Sequence, residues 1–435
     1  MKLITIDCGT SFIKTALMSL DTGKVLKQSS KQTKNITETL NIINEVLAEF
    51  KEFDTEFSVA ISTEMHGYIL VDYNGHALCD YVSWKDEWAL QEYGDGTYLD
   101  RIESVAGLDV FKVSGMALKP GIASTNLFVM LDKDSSLMEQ NAIFLTLGDY
   151  IIYYLTGIIP VMHPTNAAAS GLYDLSGKKW NEPLIKALGY DFLKFPDVSE
   201  GQIVDVDIHS CKYHFYESLG DQQAALLGAG LAECDAVSYN LGTGSQVSVL
   251  NKKLTFNTSI YQTRPFFYGR YLNTIPHVPC GRALNVYINF CRELIHSYTG
   301  HDVDDKRLWD TLTECAGESE KSDLELDMSF FANSVSDRTR GSIGNISEYN
   351  FMPGKLMRAA YEKMADNYYM VTEKLVDDNS KIHKLIFSGG IAARNPFLRE
   401  CIAAGYENCD VIVASNETFY GLWKYVKGVN DGTIR

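Results

Sequence analysis

Most of the familiar nucleotide, metal and disulfide signatures are missing from this 435-residue chain, and each gap removes a class of function. Neither G-x-x-x-x-G-K-[ST] nor G-x-G-x-x-G occurs, so a P-loop and a dinucleotide-binding turn are not expected. The H-R-D and D-F-G elements of protein kinases are absent, as is the H-E-x-x-H of zincins. Nine cysteines are scattered without a C-x-x-C pair, and the odd count favours reduced thiols in a cytoplasmic protein over a disulfide framework or a structural zinc. Long apolar runs are lacking too. The longest, 151–162, is interrupted by Thr156, Gly157 and Pro160 and is too short to span a bilayer, and the opening MKLITIDCGTS meets Asp7 too early for a signal-peptide core. Positive charge is scarce, with 39 Lys and Arg against 56 Asp and Glu and a formal net charge of -17. Such a surface repels DNA, RNA and acidic headgroups, so no nucleic-acid or membrane partner is expected. It also repels ATP, and a nucleotide site here needs Mg²⁺, backbone N–H groups and a few local cations.

What is present is ordinary globular usage, 46% hydrophobic and 22% charged, in a chain long enough for two or three domains. Residues 3–7 form a β-branched run ending in the turn Cys8-Gly9-Thr10-Ser11; a second run, 12–18, follows, and Asp21-Thr22-Gly23 leads to a third around Val25. A helical pattern covers 39–50, and strands are expected over 57–62 and 68–71. The opening order returns as 237–240, the turn Leu241-Gly242-Thr243-Gly244, and 246–250. An offset of 233 pairs Asp7 with Asn240, Gly9 with Gly242 and Thr10 with Thr243, which indicates a duplicated α/β architecture with a boundary near 215–235.

Five segments carry chemistry, and each also has an ordinary structural use. A carboxylate at a strand end before a turn of small residues, as in Asp7-Cys8-Gly9-Thr10-Ser11, can hold a metal while turn N–H groups approach phosphate, with Lys14 reaching back as a point charge; the same residues also make a plain hairpin. Gly242-Thr243 repeats the turn in the second half. Glu64-Met65-His66-Gly67 can grip sugar hydroxyls, although a lone histidine is more often structural. Asp221, opening a helix at Gly220-Asp221-Gln222, is either an N-cap or a base kept ionised by Mg²⁺ and the helix end. Ser388-Gly389-Gly390 with Asn395-Pro396 permits close approach of a flat ligand such as adenine, or is a common strand–helix turn.

Taken in order, these segments resemble the FGGY family of carbohydrate kinases, within the actin, Hsp70 and hexokinase ATPase fold. The resemblance extends along nearly the whole chain through Trp84-Lys85-Asp86, Asp149-Tyr150, Leu155-Thr156-Gly157, Asn166 to Asp174, Trp180 and Arg340-Gly341. It implies two duplicated ribonuclease H-like domains flanking a deep cleft, 1–219 and 220–435. It implies Asp221 as general base and Asp7 as the residue placing Mg²⁺. Gly9, Thr10 and Lys14 would face the transferred phosphoryl group, and Gly242 and Thr243 the phosphate chain. Gly389, Gly390 and Asn395 would line the adenosine pocket, while Met65, His66, Asp221 and Gln222 would hold the sugar. The activity implied is transfer of the γ-phosphate of ATP to a hydroxyl of a ketose, sedoheptulose first, then xylulose or ribulose, in a protein for which a homodimer is the assembly considered. A non-catalytic sugar or nucleotide sensor on the same scaffold is the alternative. Two positions depart from the family pattern: Glu64 stands where Gln is usual, and Glu417-Thr-Phe-Tyr-Gly421 carries rings where the last helix usually has small residues.

Overall fold

A computed structural model describes residues 1–208 and 210–434. The chain divides into two compact units: 1–228 with 251–272 and 416–435, and 229–250 with 273–415.

The first unit is built on a mixed sheet. Strands β1 (Lys2–Cys8), β2 (Phe12–Ser19), β3 (Val25–Gln32), β4 (Glu56–Thr63), β5 (Ile203–Ile208) and β6 (Cys211–Tyr216) lie in the order β5–β6–β4–β1–β2–β3, and the short β7 (Leu219–Gly220) also pairs β4. The expected three-strand meander is present, and β1 pairs antiparallel with β2 and parallel with β4. Leu3, Ile4 and Ile6 of β1 are fully buried, as expected of a central strand flanked by partners on both edges. Helix α1 (Ile36–Phe50) starts where Asn35 Oδ1 accepts the Glu38 N–H, and its Ile43, Val46, Leu47 and Phe50 form one buried stripe. Helix α2 (Leu147–Thr156) begins with a Thr146/Asp149 capping box and stops at Gly157 in the left-handed conformation. These faces join the sheet in one core, and a second core gathers apolar residues between Tyr68 and Leu193. Helix α3 (Pro164–Ala169) and helix α4 (Asp221–Ala229) follow.

In the second unit, strands β8 (Ala236–Leu241), β9 (Ser245–Asn251), β11 (Arg270–Val278), β12 (Lys384–Ser388) and β13 (Asp410–Val413) run in the order β11–β9–β8–β12–β13. The strand between β9 and β11, β10 (Gln262–Phe266), belongs by its contacts to the first unit. Helices α5 (Gly281–Thr299), α6 (Asp305–Glu318), α7 (Pro353–Glu373), α8 (Gly390–Arg394) and α9 (Pro396–Ala403) cover this sheet's connections.

The duplication inferred from the 233-residue offset is visible as register. Asp7 faces Lys14 on β2 and Ser62 on β4; Asn240 faces Gln246 on β9 and Ser388 on β12. Antiparallel hairpin and parallel neighbour recur with a turn one residue shorter in the second copy. The expected division at 219/220 changes, because residues 220–228, 251–272 and the last helix, α10 (Glu417–Asn430), pack with the first unit. Helix α10 meets α4 at its glycines. A Cβ on Gly228 would lie 1.7 Å from the Glu417 carbonyl oxygen, and one on Gly421 would lie 1.8 Å from that of Ala224. The small residues are thus retained where two backbones touch. The bulky rings point elsewhere: Phe419 is buried, and Trp423 Nε1 donates to the Leu20 carbonyl at 2.7 Å.

Candidate active site

Asp7 is the penultimate residue of β1, and the turn after it is closed by the Gly9 N–H donating to Phe12 O at 3.1 Å. Its Oδ1 accepts from the Ser62 hydroxyl at 3.0 Å, and Lys14 Nζ stands 3.9 Å from Oδ2. Burial raises the Asp7 pKa, while Lys14 and hydrogen bonds from Ser62 and Thr418 oppose the rise. Thr418, at the start of α10, was not anticipated; its position after the Glu417 that opens the last helix was the available signal. Thr10 is exposed and Gly9 partly so, at the tip of the same turn.

Asp221 opens α4 directly after β7. The Gly220 N–H donates to Thr165 Oγ1 at 3.1 Å, and a Cβ on Gly220 would lie 2.9 Å from Gln223 Oε1 and 3.1 Å from Met65 Sδ. Glycine therefore lets the sheet end and the Met65 loop close around the carboxylate. Asp221 Oδ1 accepts the Gln222 N–H at 2.7 Å, and Gln222 sits partly exposed on the first turn. The ionised Asp221 expected beside Mg²⁺ meets an opposing local environment. Burial, with the charges of Asp7 and Glu64, lifts its pKa to about 7, outweighing the Gln222 N–H and Arg264.

Met65 packs against Gly220, the residue before this carboxylate, and the neighbouring His66 is already engaged. His66 has φ 74°, an uncommon conformation for a residue with a Cβ. Its Nδ1 lies 2.7 Å from the Ala169 carbonyl and its Nε2 3.3 Å from Arg264 Nη2. A carbonyl only accepts, so Nδ1 carries the hydrogen and Nε2 accepts from the guanidinium. Burial and the neighbouring cations Lys119 and Arg264 push the His66 pKa well down, keeping the ring neutral. Arg264 on β10 is a member of this cluster that the sequence reading missed. An arginine embedded in Thr263-Arg264-Pro265-Phe266-Phe267, an otherwise apolar strand end, was the available signal.

Glu64, the other departure from the family pattern, is buried. Its Oε1 accepts from Tyr81 Oη at 2.8 Å and Ser83 Oγ at 3.1 Å, so hydroxyls hold the carboxylate in place. A Cβ on Gly67 would lie 2.0 Å from Tyr81 Oη, which explains the glycine after His66.

Asp7 and Asp221 are chemically suited to Mg²⁺. They are two buried carboxylates each raised by its surroundings, and Mg²⁺ is commonly held by one or two carboxylates together with phosphate oxygens and water.

The glycine segments of the second unit assemble around a cavity of about 540 Å³ lined by Gly242, Thr243, Gly390 and Asn395. Gly389 shapes it from behind. Its φ is +90°, and a Cβ there would sit 2.6 Å from the Leu241 carbonyl oxygen. Gly281 N and Arg282 N donate to the carbonyls of Gly242 and Thr243, fixing the turn to the start of α5. Asn395 is mostly committed to structure, its Oδ1 capping α9 through the Leu398 N–H at 2.9 Å. Asn285, Lys306 and Trp309 complete the wall from α5 and α6, whose amphipathic patterns carried no ligand signature.

The N-terminal domain model of the FGGY family of carbohydrate kinases matches residues 2–230, and its C-terminal domain model matches 293–421. The chain is 21% identical over 280 residues to a xylulose kinase of Bacillus subtilis, an alignment spanning 56% of this chain and 52% of that protein. It is 22% identical over 365 residues to a rhamnulokinase of Halalkalibacterium halodurans, covering 80% and 73%. Among solved structures, a gluconate kinase from Lactobacillus acidophilus superposes with a TM-score of 0.82 at 17% identity, covering 99% of this chain and 89% of the other. A xylulose kinase from Rhodospirillum rubrum gives 0.82 at 16% identity, covering 99% and 90%. At these identities the superpositions speak for the fold, that of the actin-like ATPases. With both of its domain models matched across most of the length, the chain belongs to the FGGY family of carbohydrate kinases.

Proposed function

We propose that this chain transfers the γ-phosphate of ATP to a hydroxyl of a small carbohydrate, with Asp221 as general base. The observation that carries the reading is the register of one sheet, in which Cys8, after Asp7, and Gly220, before Asp221, both face Thr63 of β4, so that two buried carboxylates flank one strand end. Phosphoryl transfer needs little covalent chemistry from a protein; it needs in-line positioning and neutralisation of charge. Asp221 accepts the proton of the attacking hydroxyl as its oxygen bonds to the γ-phosphorus and the bond to the β-phosphate oxygen breaks, releasing ADP. Mg²⁺, held with the help of Asp7, would neutralise the phosphate oxygens when bound. Gly9, Thr10 and Lys14 serve the phosphoryl end, and the cavity of the second unit serves the nucleoside. Among neutral sugars, the family resemblance favours ketoses, sedoheptulose before xylulose or ribulose. Nine unpaired cysteines support a reducing compartment, the cytoplasm.

ADP release measured against five- to seven-carbon ketoses, polyols and sugar acids tests this reading. Asp221→Asn is expected to retain ATP binding and lose about 10³-fold or more in kcat. Near-normal turnover in that variant removes Asp221 as the base. A chain that binds ligands and turns none over is the sensor.

A further inference from the structure

Arg264 is 2% exposed, yet its guanidinium is only partly satisfied. Nη2 donates to His66 Nε2 at 3.3 Å and to Gln262 Oε1 at 2.7 Å. Nε and Nη1 are buried and have no acceptor, which leaves three N–H donors of the planar fork unused. No carboxylate forms an ion pair with Arg264 among the described residues; Asp221 acts on it only through its field. A buried, unpaired cation is costly to keep, so its retention calls for an explanation.

A second cation stands beside it. Gly115, at φ +77°, lies so close to β10 that a Cβ would be 2.0 Å from the Thr263 carbonyl oxygen, and the Thr263 N–H donates to Gly115 O at 2.8 Å. This clamp brings the following segment next to Arg264, and Thr125 Oγ1 fixes it further by donating to the Lys119 carbonyl at 3.2 Å. The Lys119 ammonium has no carboxylate partner among the described residues. Burial and the charge of Arg264 depress its pKa to about 8. Two cations without a carboxylate ion pair among the described residues are thus held near His66, one of them, Arg264, also near Asp221, in a protein whose net charge is -17.

We infer that the carbohydrate carries a carboxylate, an aldonate or keto-aldonate rather than a neutral ketose, and that Arg264 and Lys119 bind that group. The inference rests on the reading of this site as the carbohydrate site. A singly charged carboxylate matches the free donors of one guanidinium with help from one ammonium. A phosphate dianion would add a further charge close to Asp7, Glu64 and Asp221. His66 is then a positioning residue: its neutral Nε2 orients Arg264, and the sugar meets the arginine.

The test is calorimetric titration of the wild-type chain, without nucleotide, with aldonates and 2-keto-aldonates of five to seven carbons. The polyol and ketose of equal length and the corresponding polyol monophosphate are titrated alongside. At least one acid is expected to bind about 30-fold tighter than its neutral counterpart, the worth of a charge-assisted hydrogen bond or two. That preference is expected to collapse in Arg264→Gln, survive in part in Arg264→Lys, and fall severalfold in Lys119→Gln. Lys119 is partly exposed, so that variant keeps the test decisive should the buried Arg264 variants fail to fold. Binding of no acid, equal binding of the neutral sugar, tighter binding of the monophosphate, or an unchanged preference in Lys119→Gln overturns the inference. ADP release on the same panel separates the two readings. Turnover of neutral ketoses without preference for acids leaves the kinase standing and sinks the carboxylate. Arg264-dependent acid binding without any ADP release does the reverse.

Discussion

At the residue scale, the governing conflict is at Asp221, where the charge that the proposed base needs is kept in a place that disfavours it. Its pKa of about 7 lies above the ordinary aspartate range because burial and the charges of Asp7 and Glu64 outweigh the hydrogen bond from Gln222. A base must be ionised, so kcat/KM is expected to rise with pH through about 7 and then level off; a profile flat from pH 5.5 to 8.5 would contradict the burial argument. The same shift has a stability consequence of defined sign. A carboxylate whose folded pKa is raised favours the folded state while protonated, and that advantage is lost as pH climbs from about 4 to about 7. Asparagine stays neutral throughout. Asp221→Asn is therefore expected to raise Tm by about 2–4 °C at pH 8 and by less at pH 5, measured by calorimetry. The sequence made Asp7, Met65, His66 and Asp221 legible because each stands in a short motif next to a glycine or a strand end. It did not reveal Arg264 or Lys119. They reach the site from segments 40 or more residues from the motifs, through the Gly115–Thr263 contact that no local pattern encodes.

Helix α4 and helix α10 form the element on which the two carboxylates depend. Helix α4 begins with Asp221, and α10 begins with Glu417 and with Thr418, which hydrogen-bonds Asp7. Their backbones meet at Gly228 and Gly421, where an added Cβ would strike main-chain oxygens that cannot move aside. Gly421→Ala is accordingly expected to cost about 3 kcal/mol or more, seen as a lowered denaturation midpoint. It should lower kcat in the surviving folded protein as well, since the helix starts that frame Asp7 and Asp221 are forced apart. An unchanged midpoint would show that the helices separate freely. Ala224 and Gly228, four residues apart on α4, line up on one helix face as small residues suited to close packing. The partner of that face was not legible in the sequence, because the small residue that answers it lies nearly 200 positions away among aromatic residues. Burial of Phe419 and the Trp423 hydrogen bond to Leu20 show why those rings are tolerated: they face the first unit's own core and loops, and leave the glycine seam clear.

Across the whole molecule, two copies of one strand pattern have been given different chemistry. Asp7 and Lys14 face each other in the first copy, and Asn240 and Gln246 in the second, at matching register. The duplication could be read from sequence because the residues up to and into the turn, Asp7 to Thr10 and Asn240 to Thr243, keep one spacing even though the second turn is a residue shorter. The unit boundaries could not, because they follow long-range packing of α4, β10 and α10. At the matching positions the second copy is neutral and its turn rich in glycine, and the charged pair belongs to the first. Around both copies the chain carries 17 more acidic than basic groups, a field that repels an incoming anionic nucleotide. Raising ionic strength from about 0.01 M to about 0.15 M shortens the Debye length from roughly 30 Å to about 8 Å. Long-range repulsion then fades, while contacts to buried groups such as Arg264 change far less. The association rate of Mg·ATP, followed by stopped flow, is therefore expected to rise by about twofold or more over that interval. A rate that falls with salt would mean that local cations, Lys14 and Lys306 among them, form an attractive path strong enough to override the net charge.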